Sequence, residues 1–237
     1  VLLAHRATSL EDLVVTLERL PASDIDHRVL VVSAHWACEG ASRSIEEIAR
    51  GMVEARMTAE QEAIAQAAAW QGMARRFCTP GARGRLEMLW RAATDEGAIM
   101  PLEGVGDAAP GEADSGVEVA LRRLATSQSP TDFANAAAYL AELEVGPFAM
   151  GAIPGPADPE LRRRIAVAAI EYATCEWSMR CGPGTLWMIQ HCRDASYCQP
   201  NADHRVLFQQ MFGPADLRRI QGLSDALLTL RRRVPDH

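Results

Sequence analysis

The sequence predicts an all-α fold, arranged as helical hairpins in a degenerate solenoid or bundle. Three observations predict it. Apolar residues recur at three- and four-residue spacing almost throughout, helix-capping spellings precede these stretches, and no pair of strand-like runs is written. The 237 residues suffice for one large domain or two small ones.

Taken in order, Leu10, Leu13, Val14 and Leu17 line one helix face, with Ser9 as N-cap and Asp12 three residues on. Val29-Leu30-Val31-Val32 is the only strand-like string. It has no partner run and lies between helix-compatible neighbours, so it is expected as the buried turn of a helix. Ser44-x-x-Glu47 and Thr58-x-x-Gln61 each open an alanine-rich amphipathic stretch. Ser129-Pro130-Thr131-Asp132 and Asp158-Pro159-Glu160 place proline at the first helical position behind a capping side chain. Gly182-Pro183-Gly184 is expected to stop one helix and start the next, and Gly213-Pro214 to precede a last helix.

Two stretches read as connections. Residues 101–118 combine Pro101, Gly104, Gly106, Pro110, Gly111 and Gly116 with five acids and no base, the pattern of a solvated acidic loop. Residues 145–159 hold three glycines and four prolines. They are the expected boundary between an amino-terminal helical region, 1–144, and a carboxy-terminal one, 160–237.

The net charge is −7, and all 24 basic residues are arginine, which reads as the codon bias of a GC-rich genome. The acidic balance argues against a general nucleic-acid binder, which needs a basic face for phosphates. No apolar run approaches the ~20 residues that cross a bilayer, so no transmembrane segment is expected.

Six cysteines, Cys38, Cys78, Cys175, Cys181, Cys192 and Cys198, include two copies of Cys-x5-Cys. An even count with a repeated spacing fits a disulfide framework and an exported, periplasmic or secreted protein. The start at Val1, without initiator methionine or basic leader, agrees with a targeting segment having been removed. Residues i and i+6 of a continuous helix stand about 9 Å apart along the axis, beyond the ~4.4–6.8 Å a bridge spans. A local Cys175–Cys181 bridge therefore requires the helix to end near Ser178 and curl back, and Cys192–Cys198 the same before Pro200, leaving Cys38–Cys78 as the long-range bridge. The competing pairing is Cys175–Cys192, across a hairpin turning at Pro183-Gly184.

Catalytic signals are sparse. Gly104-x-Gly106-x-x-Ala109 matches a dinucleotide fingerprint in spelling alone, because it lies in an acidic loop that repels phosphate. No Gly-x-Ser-x-Gly, His-Glu-x-x-His, phosphate-binding loop or Cys-x-x-Cys is present, and no cofactor is expected. His191, Cys192, Cys198 and His204 have zinc-compatible chemistry, but their spacing is loose and disulfides are preferred. His35 and Glu39 share a helix face at i, i+4, beside Trp36 and Cys38. Glu46–Glu47, Glu142 with Glu144, and Asp24 with Asp26 are paired carboxylates of the kind glycosidases use, though capping and solvation account for such pairs. Arg162-Arg163-Arg164 and Arg231-Arg232-Arg233 are expected on solvated helix ends. Trp36, Trp70, Trp90, Trp177 and Trp187 are expected in the core by default.

Residues 89–97 and 121–129 align at an offset of 32, and both read as helix ends rich in small residues. The first, with Ala92-Ala93 followed by Gly97, resembles the paired-alanine, glycine-closed helix ending of SEL-like repeats, short relatives of the tetratricopeptide repeat. That resemblance implies paired helices presenting a binding groove. A broader likeness, to exported cysteine-containing helical proteins of GC-rich proteobacteria, rests on the two Cys-x5-Cys units followed by a terminal amphipathic helix, and implies no activity. The function expected is binding of a protein partner without catalysis; the alternative is an all-α, carboxylate-dependent cell-wall or glycan hydrolase. Trp177, Trp187, Tyr197 and His191 are the candidate partner-binding residues, since they crowd a short stretch with four cysteines.

Overall fold

The computed structural model describes residues 2–56, 60–95, 113–149, 158–195, 199 and 201–232. Every regular element among them is helical. The first half holds α1 (Leu2–His5), α2 (Leu10–Leu17), α3 (Ile25–Gly40), α4 (Ile45–Arg56), α5 (Glu60–Phe77) and α6 (Pro80–Asp95). The second holds α7 (Ala113–Thr126), α8 (Pro130–Glu142), α9 (Pro159–Ser178), α10 (Leu186–Ala195), α11 (His204–Met211) and α12 (Pro214–Arg232), with one 3-10 turn at Gly146–Phe148. No described helix is long and apolar enough to cross a membrane.

The expected caps form. Ser9 accepts from the Asp12 amide, and Ser129 does the same for Asp132 behind Pro130. Ser44 and Glu47 make the reciprocal capping box, at 3.0 and 3.2 Å. Asp158 accepts from the Glu160 amide at 2.9 Å and so opens α9. Thr58 and the dinucleotide-like Gly104–Ala109 lie outside the described residues. Val29–Val32 falls inside α3, with Leu30 and Val31 buried.

One sequence expectation is overturned. The acidic loop does not reach residue 118, because α7 begins at Ala113. Val117, Ala120, Leu121 and Leu124 recur at helical spacing and pack into a core, which outweighs the local acids. The helix ahead of Gly182-Pro183 ends at Ser178, the position expected under the local pairing, and Met179 takes a left-handed φ of 55°.

The chain divides into two compact units, Val1–Ile99 with Met179–Met211, and Met100–Ser178 with Phe212–His237. Their limits thus fall at positions other than the Pro/Gly-rich 145–159 connection.

In the first unit α2, α3, α4, α5 and α6 share one core with residues of α10. Trp70 on α5 is fully buried, and its indole N–H donates to the Ile189 carbonyl of α10 at 2.7 Å. Gly40, the last residue of α3, lies against that ring: a Cβ there would stand 2.9 Å from Trp70 Cη2. The hydrogen bond denies the indole room to retreat. Gly40→Ala is therefore expected to lower unfolding free energy by about 1–3 kcal/mol. An unchanged urea midpoint would contradict this packing.

In the second unit α7, α8, α9 and α12 enclose Leu124, Phe133, Leu140, Ile170, Ala173, Leu227 and Leu228. Helix α8 ends in a Schellman turn, with the Val145 amide donating to Leu140 O and Glu144 to Ala141 O. Glu144 occupies the left-handed position, φ 53°, that glycine usually takes. At Gly116 on α7 a Cβ would meet the Tyr139 hydroxyl at 2.4 Å, so only glycine lets α7 and α8 approach this closely.

No cysteine among the described residues is free. Cys38 on α3 is bridged to Cys78 between α5 and α6, with Cα atoms 5.4 Å apart. Cys175 and Cys181 are also disulfide-bonded. Cys192 is also disulfide-bonded; Cys198 lies outside the described residues.

Candidate functional site

Helix α3 buries Leu30, Val31, Ala34, Ala37 and Cys38 along one stripe. His35 and Trp36 leave that stripe toward α6. His35 stacks on Trp90 of α6, with centroids 4.1 Å apart and planes 4° from parallel. Trp36 stands at 78° to both rings, 6.0 Å from His35 and 6.4 Å from Trp90. It is 52% exposed, the one tryptophan here that contradicts the core default. Trp70 and Trp187 are buried, while Trp90 and Trp177 are half-buried.

Carboxylates bracket the stack. His35 Nε2 lies 3.8 Å from Glu39 Oε2, as the i, i+4 spacing on α3 anticipates. His35 Nδ1 lies 3.8 Å from Glu87 Oε2 on α6, a partner 52 residues away that no local pattern announces. The outer oxygens face arginines: Glu39 with Arg43 at 3.6 Å and Glu87 with Arg91 at 3.0 Å. Both carboxylates stand in solvent, Glu39 49% and Glu87 44% exposed.

The face is held from behind. Cys38 follows Trp36 by two residues, and its bridge to Cys78 joins α3 to the chain entering α6. The aromatic cluster therefore spans a seam closed by a buried covalent bond.

The other predicted residues fall elsewhere. Asp24 caps α3 by accepting from the Asp26 and His27 amides. Asp26 is fully buried and accepts from His5 Nε2–H at 2.7 Å. Burial holds the His5 imidazole below its usual pKa, outweighing the hydrogen bond and charge of Asp26 that raise it; the Arg180 charge adds to the lowering. Glu47 is a cap, and Glu142 and Glu144 are exposed around the end of α8. Arg163 pairs with Glu160 at 2.9 Å and holds that exposed carboxyl below its ordinary range.

Trp187 is 7% exposed and stacks on the half-buried His191, whose Nδ1–H donates to the Trp187 carbonyl at 3.0 Å. Trp177 packs against Phe133 in the second unit. The Arg231 guanidinium lies 3.8 Å over the Trp177 ring and donates to Ser127 O. Arg231 is thus half-buried and engaged, and departs from the solvated helix end expected of its run. Tyr197 and Arg233 lie outside the described residues. Cys175, Cys181 and Cys192 are disulfide sulfurs, not thiolates available to zinc.

His35, Glu39 and Trp36 are legible as a group in the sequence, whereas Trp90 and Glu87 are not announced there as their partners. The signal was present in part, since Glu87, Trp90 and Arg91 share helical spacing on α6. No protein-family model, curated protein or solved structure matches this chain.

Proposed function

We propose that this chain is an exported helical binding protein, periplasmic or secreted, that docks a protein partner through the face formed by α3 and α6. The observation that carries this is Trp36, half-exposed on a side-chain stack between α3 and α6, with α3 bridged by a buried disulfide to Cys78 just ahead of α6. A large aromatic ring kept in place before binding leaves less ordering cost at association. Tryptophan is also the side chain most often found at binding hot spots. Trp177 and His191 offer less open ring area, so Trp36 takes precedence over the carboxy-terminal residues. Disulfide bonding at Cys38, Cys78, Cys175, Cys181 and Cys192 supports an oxidising compartment.

The test is affinity capture on immobilised protein from the exported fraction of the source cells, with wild type and Trp36→Ala side by side. A polypeptide retained by wild type and lost from Trp36→Ala, with both proteins equally helical, is the expected result. Identical retention would overturn the proposal. So would saccharide turnover by wild type, which belongs to the hydrolase alternative.

A further inference from the structure

We infer that the partner group received by Trp36 is an arginine side chain, lying flat on the indole and reaching Glu39 or Glu87. The inference rests on the docking face proposed above and specifies its chemistry. Three observations support it.

The same chain already uses this contact internally: Arg231 covers Trp177 with its guanidinium carbon 3.8 Å from the ring centroid. Among the described residues, no arginine covers Trp36 in that way, and its ring is 52% exposed. The indole face is electron-rich and attracts a cation placed over it.

Charge complementarity supplies the second support. Glu39 stands three residues beyond Trp36 on α3, and Glu87 three residues before Trp90 on α6, each with one oxygen toward His35. Their outer oxygens meet Arg43 and Arg91, which are 56% and 73% exposed and paired at i, i+4. Exposed pairs of that kind are weak and exchange readily. An incoming guanidinium offers a planar fork that bonds a carboxylate with two donors, which a lysine ammonium does not.

Thirdly, the whole chain carries a net charge of −7, which favours approach of a basic segment over an acidic one. An arginine stacked on Trp36 would thus combine a cation–π contact with a charge-assisted hydrogen bond at one place.

The experiment titrates acetyl-Gly-Gly-Arg-Gly-Gly-amide into ¹⁵N-labelled protein and follows the Trp36 indole N–H, assigned by its loss in Trp36→Phe. The peptides with lysine or neutral, isosteric citrulline in place of arginine are the controls. The expected result is a saturable shift at Trp36 with the arginine peptide, at least fivefold weaker with citrulline and intermediate with lysine. Glu39→Gln combined with Glu87→Gln should weaken arginine binding several-fold while the circular dichroism spectrum stays unchanged. Equal shifts with citrulline, shifts spread evenly over all the tryptophan indoles, or no shift at Trp36 would each overturn the inference. Those outcomes leave the docking face standing if capture still depends on Trp36; loss of that dependence overturns the face itself.

Discussion

His5→Leu is expected to destabilise the first unit by about 3 kcal/mol, because it removes the hydrogen bond given to a fully buried carboxylate. The Asp26 side chain has no solvent exposure, and His5 Nε2–H reaches its Oδ1 at 2.7 Å. Leucine fills the space of the ring but donates nothing. The same pair shapes the pH dependence. Burial, reinforced by Arg180, lowers the folded pKa of His5 beneath the ordinary imidazole value of 6.5. Above pH 6.5 His5 is neutral in both folded and unfolded chains, and its contribution is complete. As pH falls below 6.5 the unfolded chain takes up a proton that the folded chain resists, so stability is lost toward the folded pKa. His5→Gln keeps a donor but does not titrate, and should flatten this acid limb. Urea unfolding between pH 5 and 8 decides it; parallel wild-type and His5→Gln curves would contradict the assignment.

Removing the Cys38–Cys78 bridge, by Cys38→Ala with Cys78→Ala, is expected to cost about 4 kcal/mol through the freed entropy of the unfolded chain. The bridge closes a sequence separation of 40, and both cysteines are buried. Alanine leaves small voids at both sites, which add to the loss. A second consequence is local. Without the covalent tie, His35 and Trp36 on α3 and Trp90 on α6 depend on side-chain packing alone for their alignment. Thermal unfolding followed by circular dichroism measures the first effect, and near-ultraviolet dichroism of the tryptophans the second. A midpoint unchanged from wild type would contradict the entropic account.

What the sequence disclosed was local. Ser9, Ser44 with Glu47, Ser129-Pro130 and Asp158-Pro159 cap where expected, because a cap depends only on residues two to four positions away. Val29–Val32 was assignable to a helix for the same reason, from its neighbours and the absence of a partner strand. The Cys38–Cys78 bridge followed once the other four cysteines were assigned locally. The extent of α7 was obscured by acids whose side chains need only solvent, while its apolar face was spaced for a helix.

Long-range assembly was not legible. Nothing near Trp70 announces Ile189, 119 residues on, as its hydrogen-bond acceptor. The recruitment of 179–211 to the first unit rests on such contacts, while proline and glycine content had directed attention to 145–159. The aromatic face shows the same division. His35 and Glu39 declare themselves by helical spacing, whereas their meeting with Trp90 and Glu87 is decided by how α3 packs on α6.

Under the function proposed above, Trp36 anchors the protein partner. The direct measurement is the equilibrium affinity of the polypeptide retained in capture, for wild type and for Trp36→Ala at equal helicity. Loss of a buried hot-spot tryptophan of about 2 kcal/mol corresponds to an affinity about 30-fold weaker. That weakening is the result expected here, and equal affinity for the two proteins would contradict it.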